Sequence, residues 1–327
     1  MLYNFSFTES KGEYMQNTMT RREFVKIAGI AGGAMLLGQS LFNVAFAAPR
    51  VDIQGFFSTQ KLSNGVEIPR YGIDSCAHAL GGTKEGGQVI LEALRAGFKY
   101  IEAHGATSEA GDGYVLSQLP RQDVFLSLQL PKGISTESEV LDAFNEGLAK
   151  MKTDYLDLVI VEVAEAKGRA SWLEITREVW RAVENLYKQK RVRSIGIANL
   201  KAEQFDEFME SCEIKPMVSQ LNISPFTLNH ANKVLVERFQ NRKIAVSTTT
   251  ALGDFEGSVY DPILQKVAQK HNKTGAQVAL RWSLQSGFIT LPPASSVEQV
   301  KEYADIFNFK LDARDMKAIS RVHEKMK

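Results

Sequence analysis

Cysteine is nearly missing from this chain. Cys76 and Cys212 are the two present among 327 residues, far apart and in no CxxC pair, so neither a disulfide scaffold nor a zinc knuckle can be built from them. A single bridge in an oxidising compartment is the most that they allow. Excess charge is missing too. The 39 Lys+Arg face 38 Asp+Glu, a formal net charge of +1, which leaves no electrostatic footprint for an acidic membrane surface or for nucleic acid as a partner. Glycine pairs stand at Gly81-Gly82 and Gly86-Gly87, yet the GxGxxG turn of a doubly wound nucleotide fold is absent, and that architecture loses its main signature. No internal repeat beyond a βα unit, no low-complexity tract and no linker after residue 60 breaks the chain.

What is present is 44% hydrophobic and 24% charged residues, enough apolar material for one large core. The first 47 residues read as an address. Thr20-Arg21-Arg22-Glu23-Phe24-Val25-Lys26 precedes an apolar, glycine-rich stretch over residues 27–37 and then Ala45-Phe46-Ala47, a small-x-small cleavage site. This arrangement resembles a twin-arginine signal peptide, which export machinery reads as an address rather than an anchor. The apolar run falls short of the ~20 residues that a membrane span needs, so no stable span is expected after cleavage. The expected organisation is a signal segment over residues 1–47 and a folded domain over residues 48–327, exported to the periplasm by the twin-arginine machinery. Residues before Met19 carry no signal feature, and Met15 and Met19 are alternative starts.

Beyond residue 60, short β-branched runs alternate with amphipathic helical segments, the mark of βαβ units around a parallel sheet. Strands are expected near 71–74, 99–102, 124–129, 156–161, 192–197, 217–221, 243–247 and 288–291. Between them lie helical stretches such as residues 137–150, where Val140, Leu141, Phe144, Leu148 and Met151 recur at helical spacing. Eight strands without a long break predict an α/β fold closed as a (β/α)8 TIM barrel. The leading segment KLSNGVEI, residues 61–68, turns on Asn64-Gly65 and predicts a β-hairpin that caps the bottom of the barrel.

Several blocks, in order, resemble those of the aldo-keto reductase family. They are GVEIPRYGIDS, ALRAGFKYIEAH, YLDLVIVE, RSIGIANL, SQLNISPF and the C-terminal AQVALRWSLQSGFITLPPASSVEQVKEYADIFNFKLDARDM. The resemblance runs from about Leu62 to Ile319. It implies an NADP-dependent oxidoreductase barrel in which an Asp, a Tyr proton donor, a Lys and a His serve carbonyl reduction. Carried over position by position, the Asp falls on Glu102, the Tyr lies where the sequence reads Ala106-Thr107-Ser108, the Lys falls on Gln129 and the His on Glu162. Asn199 and Gln220 match the pair that binds the nicotinamide amide, with Ala198 in place of the preceding Ser. The stacking aromatic falls near Thr249 in the run Thr248-Thr249-Thr250, and the grip on the adenosine 2′-phosphate falls on Pro293, Ala294 and Gln299. An unactivated threonine hydroxyl is too weak an acid to replace a phenol. On the cofactor side, the threonine run cannot stack on a nicotinamide, and a phosphate dianion loses its charge-assisted partners. NADP as cofactor is therefore doubtful on two grounds.

In a βα barrel, ligands sit at the C-terminal ends of the strands, where this chain places Cys76, His78, Glu102, His104, Gln129, Glu162, Asn199, Gln220 and Asn222. Glu102 and His104 are two apart at a strand end and point to one side; Glu162 is expected to face them. Glu102, His104 and Glu162 are thus the candidate catalytic groups, capable of acid and base work, and Asn199 and Gln220 the candidate cofactor contacts. With His78 or Cys76, a His/carboxylate metal site is the lesser alternative, and polar pocket residues satisfied by water or neighbours are the bland one. His230, His271 and His323 are expected at the surface, the charged stretch 177–193 on a solvated face, and Trp172, Trp180 and Trp282 in packing. Three functions remain open: a pseudo-enzyme of reductase descent that binds a small molecule in the barrel mouth, an NAD(P)H-dependent carbonyl oxidoreductase with an altered site, and a hydrolase or lyase built on Glu102, His104 and Glu162.

Overall fold

The structure is a computed structural model that describes Ile53 and residues 55–75, 84–104, 120–166, 168, 170–253 and 258–325. The expected export signal lies outside the described residues, as do Cys76, His78 and Ala106-Thr107-Ser108.

A two-stranded hairpin leads. Strand β1 (Thr59–Lys61) pairs antiparallel with β2 (Glu67–Pro69). Its turn closes where expected, with Leu62 N donating to Val66 O at 2.8 Å and Gly65 in the left-handed region at φ 91°. Only glycine enters that region without strain. Asn64 Nδ2 donates to Arg193 O at 2.9 Å, just ahead of β7 (Ile195–Ala198), so the hairpin sits at the N-terminal end of the strands.

Eight parallel strands follow in sequential order: β3 (Ile73–Asp74), β4 (Tyr100–His104), β5 (Phe125–Gln129), β6 (Leu158–Glu162), β7, β8 (Val218–Gln220), β9 (Ala245–Thr248) and β10 (Ile289–Thr290). Backbone bonds join the first strand to the last, with Gly72 N to Thr290 O and Asp74 N to Pro292 O both 3.1 Å. The expected (β/α)8 barrel is the fold. Gly72 makes that closure possible, since a Cβ there would lie 2.6 Å from Tyr100 O.

The helices form the outer layer: α1 (Lys84–Ala96), α2 (Glu137–Met151), α3 (Trp172–Lys188), α4 (Phe205–Ser211), α5 (His230–Asn241), α6 (Pro262–His271), α7 (Gly275–Gln285), α8 (Val297–Ala304) and α9 (Ala313–Ile319). Reciprocal capping boxes start α2 at Thr136 and Glu139, α3 at Ser171 and Glu174, and α7 at Thr274 and Gln277, each satisfying donors that the helix leaves unpaired. Helix α2 buries Val140, Phe144, Leu148 and Met151, the face its spacing predicts, while Leu141 stays half-buried. Trp180 and Trp282 are buried packing groups, each indole donating to one oxygen, on Ile214 O and Ser320 Oγ. Among the described residues no helix is long and apolar enough to cross a membrane.

Two surface expectations are corrected. The charged stretch 177–193 is not simply solvated: Glu184 is buried and accepts from Ile214 N at 2.7 Å, and Arg193 pairs with buried Asp157 at 2.6 Å. His271 is not a free surface residue either, for its Nε2 lies 2.8 Å from Asp315, which Lys270 also holds.

Candidate active site at the barrel mouth

Strand register decides which side chains share the barrel interior. Partners in a parallel ladder project to the same face, and every second residue repeats it. Asp74 pairs with Glu102, Glu102 with Ser127, His104 with Gln129 and Gln220 with Ser247. The bonds confirm that these side chains meet inside.

Glu102 is fully buried. An ionised carboxylate so placed costs several kcal/mol in desolvation unless donors surround it. Four do. Gln220 Nε2 lies 2.6 Å from Oε1 and His104 Nε2 3.2 Å from the same oxygen. Ser127 Oγ and Tyr100 OH reach Oε2 at 3.1 and 3.2 Å. Burial alone would raise the pKa of this carboxyl, but the hydrogen bond and charge of His104, with the bonds from Gln220 and Ser127, outweigh it and hold the group below its ordinary range. The Tyr100 phenol moves the other way, well above its ordinary value, through burial and then through the neighbouring Glu102 charge.

His104 has a second carboxylate. Its Nε2 also lies 3.3 Å from Oδ1 of Asp74, which is 5% exposed. The sequence reading missed Asp74. Its only signal was its place at a strand end in the GIDS block, two residues before Cys76.

Register puts Glu162 on the same face as His104 and Gln129, but its bonds run to other partners. It accepts from Asn199 Nδ2 at 3.0 Å, and Lys132 Nζ lies 3.8 Å away while reaching Glu165 at 3.6 Å. No hydrogen bond among the described residues joins it to Glu102 or His104. Asp74 on the bordering strand β3 is the carboxylate that joins Glu102 at His104, while Glu162 shares their lumen face from β6, two strands away. Beside Glu162 opens a cavity of about 270 Å³ with apolar walls from Leu130, Ile134, Val161, Val163, Ile175 and Val179. Among the described residues, no group of three or more His, Cys, Asp or Glu side chains is placed to hold a metal ion.

Asn199 and Gln220 stand together at the mouth. Asn199 adopts φ 59° and its backbone N–H donates to Gln220 O at 3.0 Å. Their side-chain amides are already engaged, one on Glu162 and the other on Glu102. The threonine run is knotted to the loop after β8: Thr248 Oγ1 donates to Ile223 O at 2.9 Å and Thr250 Oγ1 to Asn222 Oδ1 at 2.8 Å. At the start of α8, Gln299 folds back so that its Oε1 accepts from Ser295 N at 2.7 Å, closing the turn that follows Pro293-Ala294. No cationic side chain is offered from Pro293, Ala294 or Gln299. These residues do not fit NADPH: the 2′-phosphate finds no cation in them, and the two amides are spent on carboxylates.

The Aldo/keto reductase family model matches residues 90–324. The chain is 31% identical over 278 residues to the oxidoreductase YtbE of Bacillus subtilis, covering 81% of this chain and 93% of the relative. It is 30% identical over 270 residues to a glyoxal reductase of the same organism, with the same two coverages, 81% and 93%. Among solved structures, an aldo/keto reductase from Brucella melitensis superposes with a TM-score of 0.72 at 28% identity, covering 81% of this chain and 99% of that one.

Proposed function

This chain belongs to the aldo/keto reductase family, and from that premise we propose that it binds a small polar molecule at the barrel mouth without the family's NADPH-dependent hydride transfer. The observation that carries this reading is the engagement of the Asn199 and Gln220 amides by Glu162 and Glu102. A carboxylate that holds an amide donor removes it from a nicotinamide, and freeing it would cost a charge-assisted hydrogen bond. The residues at the reductase positions agree: Gln129 cannot carry the positive charge of a lysine, and Glu162 is an anion where an imidazole would donate. What these side chains can do is orient a ligand. Glu162 offers an acceptor edge, and Gln129, whose Oε1 has no hydrogen-bond partner, another polar edge.

The site of action is the periplasm, in this reading, with Arg21 and Arg22 as the address. Loss of the cofactor contacts accords with an exterior that supplies no standing pool of reduced nicotinamide.

A carbonyl oxidoreductase with an altered site is the second reading, favoured by the kinship to a protein named glyoxal reductase. Saturation-transfer NMR with small hydroxycarbonyl compounds, run beside NADPH oxidation with glyoxal, separates the two. The first reading expects saturation transfer with no oxidation above the protein-free blank; protein-dependent NADPH oxidation by glyoxal would establish the second instead.

A further inference from the structure

We propose that the cavity beside Glu162 is the ligand pocket of this barrel and that it takes a small primary amine, with the ammonium on Glu162 and an aryl or short alkyl group between the apolar walls. The inference rests on the small-molecule reading above and names the class of molecule bound.

The cavity lies between the segments that follow β5 and β6, and Ile175 and Val179 of α3 complete its walls. Leu130, Ile134, Val161 and Val163 line the same space. A dry apolar cavity of about 150 Å³ already holds benzene, so one of about 270 Å³ takes a phenyl ring on a short linker. Burial of that ring supplies the driving force for entry.

The ionisable lining is uneven in charge: Glu162 and Glu165 are anions, and Lys132 is a lone cation against them. Glu162 is the sheltered member. Its side chain is 18% exposed, against 68% for Lys132 and 83% for Glu165. A carboxylate at the edge of an apolar space is screened less than one in open water, so it draws a cation more strongly. Its Oε1 accepts from Asn199, whereas its Oε2 accepts from none of the described residues.

Lys132 shows where an ammonium goes. Its Nζ lies 3.8 Å from Glu162 and 3.6 Å from Glu165, too far for hydrogen bonds, and an exposed contact of this kind holds little. A ligand ammonium anchored by its own buried ring can displace it and donate to Glu162 Oε2, while Lys132 turns into water on its flexible stem. Gln129 points the same way. On the lumen face that Glu162 shares, it leaves its Oε1 buried without a partner, so that face lacks a donor and not an acceptor. An anionic ligand at Lys132 would instead stand beside both carboxylates.

The test is calorimetric titration of phenethylamine, of its neutral counterpart 2-phenylethanol and of the anion phenylacetate into the full-length protein, with saturation transfer to hydroxyacetone recorded in parallel. Phenethylamine is expected to bind about tenfold or more tighter than 2-phenylethanol, and phenylacetate to show no saturable binding. Glu162→Gln keeps the volume and the acceptor for Asn199. It is expected to weaken phenethylamine about tenfold or more and to leave 2-phenylethanol unchanged, a split that loss of structure would not produce. Lys132→Met removes the competing cation and is expected to tighten phenethylamine about threefold. Phenylacetate binding that Lys132→Met abolishes would reverse the charge of the ligand and overturn the amine class. Hydroxyacetone binding without phenethylamine binding also overturns it, and leaves the small-molecule reading standing. Phenethylamine affinity unchanged in Glu162→Gln overturns the assignment to this cavity. Protein-dependent NADPH oxidation with glyoxal overturns the underlying reading and the inference with it.

Discussion

Gln220 reaches across the barrel from β8 to β4 and donates its side-chain amide to Glu102 at 2.6 Å. Three strands separate β4 from β8 in either direction around the ring, so this bond ties opposite walls together through a buried charge. It therefore links the stability of the barrel to the chemistry of its mouth.

Removing the charge should weaken the fold. Glu102→Ala strands Gln220, Ser127 and Tyr100 in the interior and is expected to cost about 3–5 kcal/mol, the range for breaking a buried charged contact. Glu102→Gln keeps the volume and should cost less, about 1–3 kcal/mol. Urea unfolding midpoints at neutral pH measure both.

Acid should erase part of this contribution. The folded-state pKa of Glu102 is lowered, so its stabilisation is complete above the unfolded carboxyl value, about 4.3, and is lost as pH falls through the lower folded value. The gap in unfolding free energy between wild type and Glu102→Gln should be largest at pH 7 and should shrink below about pH 4. A gap that grows in acid would mean that the carboxyl is raised, not lowered.

Phosphate recognition can be restored in part. Pro293→Lys/Ala294→Ser/Gln299→Arg supplies two cations at the start of α8, where Gln299 now caps its own turn. Wild type is expected to show no preference for NADPH over NADH. The triple variant should prefer NADPH by about tenfold or more, as one or two charge-assisted bonds would give, and competition binding of the two nucleotides reads the ratio.

Export should fail without the arginine pair. Arg21→Lys/Arg22→Lys is expected to retain the full-length chain in the cytoplasm, as seen by fractionation and by the mass of the recovered protein. Recovery of a shortened chain from the periplasm would remove the twin-arginine assignment.

The barrel was legible because β-branched runs and helical spacing are local signals. All eight strand positions, the Asn64-Gly65 turn and the buried face of α2 follow from them. The mouth was legible by half. Two-residue spacing put Glu102 and His104 on one face, and a bond of 3.2 Å joins them. Which other carboxylate meets His104 depends on strand adjacency, which spacing does not encode: Asp74 on the bordering strand does, whereas Glu162 turns to Asn199 and Lys132. His271 shows the same limit. Its helical position reads as exposed, and its partner Asp315 comes 44 residues later.

The account stands most directly on calorimetric titration of NADPH into the protein lacking residues 1–47, with glyoxal added at the end to reveal turnover. It predicts no saturable binding at micromolar nucleotide and no NADPH oxidation. Micromolar binding followed by oxidation would show that Asn199 and Gln220 release their carboxylates for a nicotinamide, and would contradict a barrel that has left hydride transfer behind.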